Sequence, residues 1–328
     1  MKRENHLLER IADPENLRLA FWKARRGKDA RKEVANYRRD LDKNLLLLRN
    51  QILSGTVDVG HYHFFKIYDP KERQICAAPF PERVLHHAIM NVCHDVFERY
   101  QIFDSYACRL GKGTFAALNR AHHFHRCYRW FLKLDVRKYF DNIDHNILKT
   151  MLARCFKEHL LLKIFYSIID SYHTQTGKGL PIGNLTSQYF ANHYLGAADH
   201  YLKESLHVKA YVRYMDDMVV WTDDKSHLLS LGRRLQAFLS DSLHLTLKPF
   251  CLNAVQRGLP FLGYVLLPAV IRLQRRSQQR FRSKYKLYTA LLRSGAWSQE
   301  LYQSHILPLF SFTFHADALK WRSVVVVG

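Results

Sequence analysis

The chain has 328 residues and is 48% hydrophobic, which is enough to bury a core in one large domain or roughly two to three small ones. Its 50 lysines and arginines stand against 29 acidic residues, giving a net charge of +21. This excess favours a nucleic acid as partner over a merely basic soluble protein, and the absence of a signal-like or membrane-spanning apolar run argues for a cytoplasmic protein with no membrane attachment.

The first part of the chain is predicted to be mainly helical. Asp13 followed by Pro14 is typical of a helix N-cap with proline at the first helical position. Apolar spacings of three and four over residues 34–52 predict a second helix, and Pro81 opens a third. Between these helices, two β-rich runs on either side of residues 69–70 predict a hairpin.

From residue 130 onward the pattern predicts a mixed fold. WFLKLDV is typical of a buried strand that ends in Asp135, and a helix is expected from about Asp144. VKAYVRY and MVVW flank Met215-Asp216-Asp217, which predicts a hairpin with two acids at its tip. A helix over residues 226–243 and the strands LHLTLK and FLGYVLL complete a β-α-β-β-α-β-like order, and helices are expected thereafter.

Neither the cysteines nor the histidines predict a metal site. The six cysteines stand singly, without a C-x-x-C pair, which indicates buried thiols in a reducing compartment. His122, His123 and His125 have no partner motif, so we expect them at the surface or facing RNA.

Three carboxylates suit metal-dependent nucleotidyl transfer. Such transfer uses two divalent ions about 3.5–4 Å apart, and magnesium prefers hard oxygen ligands. Asp135 at a strand end, with Asp216 and Asp217 at a hairpin tip, would hold their carboxylates rigidly on adjacent strands. Taken singly, each acid is better explained by a structural role, as a turn residue, a helix cap or an ion-pair partner.

YMDD between two β-rich segments resembles the hallmark of the reverse transcriptases, and LKLDVRKYFDNIDH resembles that family's first palm motif. The similarity extends over nearly the whole chain. It implies a right-hand polymerase of class α+β in which Asp135 and Asp216 bind both Mg²⁺ ions and Asp217 is the more peripheral ligand. The expected domains are N-terminal helices and fingers in residues 1–128, a palm with an antiparallel sheet in 129–268, and a short, basic helical thumb in 269–328. Part of the first segment fits the palm as well.

The resemblance also assigns residues to the incoming deoxynucleoside triphosphate. Phe140 falls at the family's aromatic steric gate, which leaves no room for a ribose 2′-hydroxyl, although core packing is an alternative role. The hairpin cations Lys66, Lys71 and Arg73 would neutralise the phosphates, with solvated surface charges as the alternative; which of the two lysines makes the contact is left open. Lys248 in LTLKP falls where the family has a lysine that acts as general acid to the leaving pyrophosphate, or else it is a plain surface lysine.

Contacts with the template and the cDNA or primer are expected in three places. PERVLHHAI and SYACRLGKG resemble fingers and palm segments of the family, in which Arg83, Arg109 and Lys112 would contact phosphate. FLGY resembles the primer-grip turn, where Gly263 permits a tight backbone. The third place is a basic helical stripe facing the template–primer duplex, or a solvated helix face, with cations at i, i+4 and i+8: Arg276, Arg280 and Lys284.

LPIGNLTSQYFANHYL separates subfamilies of bacterial reverse transcriptases. Ile182 precedes Gly183 where group II intron and retron enzymes have glutamine, and Gln188 follows Ser187 where they have proline. This form resembles the enzymes of diversity-generating retroelements, as do SYACRLGKGT and FTFHADALKW. The resemblance implies bacterial or phage-encoded, error-prone copying of a template-repeat RNA into adenine-mutagenised cDNA for retrohoming, with a small, basic, oligomeric accessory variability protein as partner.

Two other interpretations remain open. The chain could be a group II intron- or retron-type reverse transcriptase of ordinary fidelity, against which the segment from Ile182 to Gln188 argues. It could also be a non-catalytic RNA-binding scaffold, against which the intact carboxylates argue. Isoleucine in place of a hydrogen-bonding glutamine would remove a polar check on the geometry of the nascent base pair, which gives a physical reason for infidelity.

Overall fold

The computed structural model describes residues 3–68 and 72–327 of the chain. Contacts between these residues form two units whose segments interleave in sequence. The first unit lies within Met1–Phe103, Asp135–His207 and Arg234–Lys248, and the second within Asp104–Leu134, Val208–Arg233 and Pro249–Gly328. The sequential division into fingers, palm and thumb stays a prediction.

Helices and antiparallel strands both occur, as class α+β predicts. The helices are α1 (Leu8–Ile11), α2 (Pro14–Arg25), α3 (Lys32–Arg39), α4 (Leu41–Ser54), α5 (Phe80–Tyr100), α6 (Thr114–Cys127), α7 (His145–Cys155), α8 (His159–Asp170), α9 (Leu185–His200), α10 (Lys225–Leu243), α11 (Arg275–Arg293), α12 (Gln299–Thr313) and α13 (Leu319–Val327). The strands are β1 (His63–Tyr68), β2 (Glu72–Ala77), β3 (Trp130–Asp135), β4 (Ala210–Tyr214), β5 (Asp217–Thr222), β6 (Cys251–Ala254), β7 (Leu259–Phe261), β8 (Tyr264–Leu266) and β9 (Ile271–Leu273). Among the helices of the described ranges, none has the length and hydropathy to cross a bilayer.

The start of α2 confirms the predicted cap. The Asp13 carboxylate accepts hydrogen bonds from the backbone N–H groups of Glu15 and Asn16 at 3.0 and 3.1 Å, and Pro14 occupies the first helical position. The single helix predicted over residues 34–52 is wrong. Asp40 leaves the helical region at φ −114° and ψ 42°, so α3 ends before it and α4 begins after it; aspartate has a low propensity for helix interiors.

The long helix α5 organises the first unit. It begins at Phe80, one residue before the predicted Pro81, and packs against α2 and α9. The rings of Tyr37 and Phe80 meet edge to face, with centroids 5.2 Å apart. The predicted hairpin is present as β1 and β2, and every residue of β1 is exposed. The predicted turn at residues 69–70, together with Lys71, lies outside the described residues.

The second unit is built on a sheet of order β4-β5-β3-β6. α6 packs against β4 and β5, and its Ala117 and Ala121 belong to a buried apolar cluster with Val212, Val219 and Trp221. Small residues on the helix allow this close approach of helix and sheet.

Two strand predictions need correction. LHLTLK is not a strand, because within it only Leu247 makes a β-bridge, to Val136, and Pro249 then removes a backbone donor. Strand pairing resumes after the proline, where β6 pairs with β3. FLGYVLL does form strands, β7 and β8, but they pair with β9 in a separate three-stranded sheet.

The carboxy-terminal helices confirm the expected helical segment. Phe281 of α11 is buried and contacts Phe310 of α12 and Trp321 of α13, each with a centroid separation of 5.2 Å.

The cysteine prediction holds for Cys76, Cys93 and Cys155, which are buried, and is wrong for the other three, which are exposed.

The expectation that the histidine cluster lies at the surface is wrong for His125, which is completely buried. Its Nε2 lies 2.8 Å from the Val255 carbonyl oxygen, and its Nδ1 lies 3.3 Å from the indole nitrogen of Trp221. The helical periodicity of α6 directs the His125 side chain into the core, where each ring nitrogen has a hydrogen-bonding partner.

Candidate functional site

Asp216 lies in a two-residue hairpin turn, as predicted. Tyr214 at the end of β4 pairs with Asp217 at the start of β5, which leaves Met215 and Asp216 as the loop. Met215 has φ 54°, a left-handed conformation that tight hairpin loops of this length require. The turn therefore presents Asp216 at its tip and holds Asp217 on a strand.

Arg213, which the sequence analysis missed, fixes this turn from inside. Its side chain is fully buried, and one guanidinium nitrogen donates to the Met215 carbonyl at 3.1 Å. Its backbone is bonded on both sides, donating to Asp104 at 2.9 Å and accepting from Tyr106 at 3.0 Å. Burying a guanidinium costs several kcal/mol unless it is well bonded, so the arrangement restrains the turn. The sequence signal that could have identified Arg213 was its position as a charged residue inside the apolar run AYVRY.

Lys133 is a second residue that motif spacing did not reveal. Its ammonium group lies 3.0 Å from the Asp217 carboxylate and donates to the Pro260 carbonyl at 2.9 Å. Lys133 precedes Asp135 by two positions on β3, so the two side chains share one face of that strand. The alternation of side chains along a strand was therefore the sequence signal that could have identified Lys133.

Asp135 and Lys248 are brought together in the first unit. Asp135 is the last residue of β3, and the Lys248 ammonium group donates to its Oδ2 at 2.7 Å. The Lys248 backbone N–H also donates to the Asp135 carbonyl at 2.9 Å. Asp135 Oδ1 is shielded from water and accepts no hydrogen bond within the described part of the chain. Such an oxygen is a ready ligand for a hard cation.

Carboxylates are the candidate metal donors, and the described residues hold no preassembled metal centre. Within residues 3–68 and 72–327, no three histidine, cysteine or acidic side chains are grouped tightly enough to hold a metal ion. Ammonium groups contact Asp135 and Asp217 instead, each supplying positive charge to a carboxylate. A set made only of carboxylates favours a hard divalent cation over zinc or copper.

Phe140 lies next to the segment that contains Ile182 and Gly183. The Phe140 carbonyl accepts a hydrogen bond from the Leu180 N–H at 2.8 Å, and its side chain is half-buried. The Ile182 carbonyl accepts from the Cys76 N–H on β2 at 2.8 Å. Ile182 is also half-buried, as is Gln188 on α9.

The backbone conformation and the close neighbours of residue 183 require a glycine there. Its φ is +119°, and a Cβ there would lie 3.0 Å from Ile75 Cγ2 and 3.2 Å from the Cys76 carbonyl oxygen. The loop that follows Ile182 is thus pressed against β2, and a side chain at Gly183 would push it away.

The two described hairpin cations lie on opposite faces of the β1–β2 ribbon. Lys66 is paired with Gln74, and Arg73 is paired with Ile67, one position further along each strand. Arg73 therefore shares the face of Ile75, which meets the Gly183 loop. Lys66 contacts Glu72 at 2.6 Å in an exposed ion pair, which stabilises by at most about 1 kcal/mol.

A basic cavity of about 250 Å³ lies beside the same loop. Lys28, Arg31 and Arg83 line it together with Gly183 and Asn184. Asn184 is 3% exposed, and its Nδ2 donates no hydrogen bond to the described residues. Burial, with repulsion from Arg83 and Arg31, lowers the pKa of Lys28. Lys28 and Arg31 were missed because they lie far from Gly183 in sequence.

Arg109 and Lys112 lie in a compact loop before α6. An Arg109 guanidinium nitrogen donates to the Ser105 carbonyl at 2.7 Å, and the Lys112 ammonium group lies 5.0 Å from the centre of the Tyr106 ring. The loop orders both cations, and a phosphate-binding role for them stays a prediction.

Gly263 sits in a two-residue turn between β7 and β8, where Leu262 and Gly263 have φ of 49° and 90°. Ser277 donates to the Gly263 carbonyl at 2.8 Å, which joins the turn to α11. The tight backbone expected at FLGY is therefore present.

On α11 the predicted stripe is formed by exposed Arg276 and Arg280 and half-buried Lys284.

Comparisons with known proteins identify the family. The family model described as "Reverse transcriptase (RNA-dependent DNA polymerase)" matches residues 69–266, more than half of the 328-residue chain. "Group II intron-encoded protein LtrA" of Lactococcus lactis subsp. cremoris is 24% identical over 151 residues, which cover 44% of this chain and 25% of that protein. "Protein YkfC" of Escherichia coli (strain K12) is 26% identical over 130 residues, covering 38% of this chain and 28% of that protein.

Solved structures support the predicted architecture. Apo telomerase from Candida tropicalis, truncated from its C-terminal domain, superposes with a TM-score of 0.50 at 13% identity, covering 66% of this chain and 55% of that one. At this identity the likeness concerns the fold alone, and it confirms the right-hand polymerase class.

Proposed function

The chain belongs to the reverse transcriptase family, and we propose that it extends a DNA primer with deoxynucleotides along an RNA template. The observation that carries this proposal is the hairpin turn that places Asp216 at its tip and Asp217 at the start of β5, braced by buried Arg213. A carboxylate turn held this firmly suits a reaction in which positioning and charge neutralisation supply most of the catalysis.

In this proposal Asp135, Asp216 and Asp217 hold two Mg²⁺ ions, with Asp217 the more peripheral ligand. Bound ions would neutralise charge on the attacking and leaving oxygens. The bare Oδ1 of Asp135 supports a ligand role for that residue. Lys248, whose ammonium group donates to Asp135 Oδ2 at 2.7 Å, would donate a proton to the departing pyrophosphate.

The residues around the Gly183 loop would bind the incoming nucleotide. Phe140 would exclude a 2′-hydroxyl, and Gly183 and Gln188 would shape the loop beside the nascent pair. Arg73, with Lys66 or Lys71, would neutralise the triphosphate. Nucleic-acid contacts would come from Arg109, Lys112, the Gly263 turn and the cations of α11.

Primer extension on an RNA template, with and without Mg²⁺, tests this function. We expect Asp216→Ala to reduce extension below detection, while Asp241→Ala, which removes an exposed carboxylate from α10, leaves it unchanged. Both variants should melt at the temperature of the wild type. Extension that survives in folded Asp216→Ala would exclude this turn as the catalytic centre. An inactive but RNA-binding wild type would instead support the scaffold interpretation.

We further propose that the enzyme copies a template-repeat RNA with errors at adenines, as in diversity-generating retroelements, together with a small basic accessory protein. The Ile182–Gln188 segment supports this proposal. Similarity to an intron-encoded protein favours the second candidate, a group II intron-type enzyme of ordinary fidelity. The error spectrum of the cDNA separates the two.

Ile182→Gln tests the physical basis of infidelity. Glutamine restores a hydrogen-bonding side chain beside the nascent pair, so we expect misincorporation at template adenines to fall by about tenfold. Sequencing of cDNA made by both enzymes on one template gives the rates, with Ile182→Val as the apolar control. Equal error rates in all three enzymes would remove Ile182 from the explanation, and uniformly low rates would favour the intron-type candidate.

A further inference from the structure

A cavity of about 350 Å³ lies between α11 and α12, and none of the three proposed metal-binding aspartates lines it. One face of α11 and one face of α12 form its walls, and buried Phe281 lies at its base. Its volume is at the lower end of the range of about 300–1,000 Å³ found for small-molecule sites.

Aromatic rings stand at both ends of this thumb cavity. At one end Tyr288 and His305 line the wall, and Trp297 stacks on His305 with centroids 4.7 Å apart. At the other end Phe312 lines the wall and packs on Tyr264 at 4.7 Å. Rings that are each packed against a neighbouring ring offer fixed faces for a planar group.

Polar groups line the same space. Arg280 and Lys284, one helical turn apart on α11, contribute two cations to the wall. On α12, Pro308 lies inside the helix and has no N–H with which to bond the Ser304 carbonyl, and both residues line the cavity. The wall thus combines positive charge for a phosphate with a carbonyl acceptor for an amino group.

We propose that the thumb cavity binds one nucleotide, with its base between the aromatic ends and its phosphate at Arg280 and Lys284. A purely apolar ligand would not engage the two cations, and a bare anion would not engage the aromatic faces. Unpaired RNA bases are recognised by stacking on aromatic rings beside cations. The source is an unpaired position of a bound RNA strand or a free mononucleotide.

Photo-crosslinking to the full chain tests this proposal. A single-stranded RNA carries 4-thiouridine at one position, and crosslinked peptides are mapped by mass spectrometry without Mg²⁺ or dNTPs. We expect crosslinks in the α11 and α12 peptides that contain Tyr288 and His305. Crosslinks confined to other parts of the chain would overturn the proposal. The proposal rests on the proposed RNA binding, but binding without polymerisation keeps it distinguishable from a failure of catalysis.

Affinity measurements on matched variants complete the test. Removal of one stacking ring in Tyr288→Ala should raise the Kd for the RNA by about 5- to 150-fold. Ser304→Phe, which fills the cavity and removes no packing ring, should do the same while keeping the wild-type melting temperature. Lys284→Gln should weaken binding more than Lys286→Gln, an equal charge change at an exposed α11 position outside the cavity wall. Equal effects of the two lysine variants would overturn the assignment.

Two further experiments identify the source of the nucleotide. Displacement of the crosslink by millimolar uridine monophosphate would identify a free mononucleotide as sufficient. Retention of the crosslink in its presence, with loss of affinity for a strand that is abasic at the labelled position, would identify a nucleotide held within RNA. Neither displacement nor an abasic effect would show that the cavity holds no base.

Discussion

At the residue scale, Gly263 combines two constraints that an alanine would violate. Its φ is +90°, and a Cβ would lie 2.9 Å from Phe312 Cζ and 3.1 Å from Ser277 Oγ. We expect Gly263→Ala to lower the free energy of unfolding by about 2–4 kcal/mol, from backbone strain plus overpacking. Gly295→Ala is the control, because Gly295 has φ +72° with nothing within 4 Å. Its cost should be about 1 kcal/mol. Equal losses in urea unfolding would show that the steric contact contributes nothing.

His125 gives a prediction about pH. Burial lowers the pKa of His125 to about 4, with the hydrogen bond to Val255 opposing this shift. An unfolded histidine has a pKa near 6.5, so between about pH 6.5 and 4 the unfolded state binds the proton and the folded state does not. Stability should therefore fall as the pH is lowered through this window, by up to about 1.4 kcal/mol per unit from this residue.

Urea unfolding at several pH values measures this slope against His125→Gln. The variant lacks the titrating ring, so its stability should depend less steeply on pH even though it is less stable at pH 7. His122→Gln, a change in the same helix at a less buried position, controls for the loss of a histidine ring. Parallel curves for wild type and His125→Gln would contradict a neutral, buried imidazole.

Spacing and motifs predicted residues of the site, but not the residues that support them. Asp135 and Asp216 follow from β-rich runs that end in acids. Lys133 and Arg213 act through a carboxylate contact and a carbonyl contact formed only on folding. Lys28 reaches the Gly183 cavity from another segment. Sequence patterns report local periodicity, whereas such partners depend on tertiary packing.

At the element scale, the β1–β2 hairpin separates its two described cations by face. Arg73 lies on the face of Ile75, which meets the Gly183 loop, whereas Lys66 lies on the other face and contacts Glu72. We expect Arg73→Gln to raise the KM for deoxynucleotides by about tenfold or more, the loss of one charged hydrogen bond. Lys66→Gln should change it far less. Steady-state kinetics measure both, and the reverse order would assign the phosphate contact to Lys66.

Elements with strong local signals were predictable, and those decided by longer-range pairing were not. The cap at Asp13 and the tight turn at Asp216 follow from local chemistry. The break at Asp40 interrupts a continuous apolar periodicity, so the pattern alone favoured one helix. LHLTLK alternates like a strand, yet its neighbour Pro249 and the available partners limit it to one bridge at Leu247.

At the scale of the whole molecule, the fold class followed from the order of elements, but the grouping of segments did not. Each unit is assembled from three separate stretches of chain. The β3 strand illustrates the difficulty, because its first residues belong to one unit and Asp135 to the other. Sequence order favours units made of consecutive residues, and only contacts between distant segments reveal units that interleave; the division into fingers, palm and thumb stays a prediction.

The net charge of +21 predicts a strong dependence of nucleic-acid binding on salt. Each phosphate contact releases counterions, so with about 6–10 contacts the affinity for an RNA–DNA duplex should fall about 10³- to 10⁵-fold between 50 and 200 mM salt. If a phosphate of the strand lies in the basic cavity beside the Gly183 loop, which Arg31 lines, Arg31→Gln should reduce the slope of log K against log salt by about one.

Arg18→Gln supplies the matched control, since Arg18 contacts Asp42 at 2.8 Å in an exposed ion pair. It removes the same charge from the chain without removing a cavity cation. A slope unchanged in Arg18→Gln and reduced in Arg31→Gln would show that binding uses placed cations. Equal reductions would instead show that the overall field of the protein attracts the strand, with no dedicated contact at the cavity.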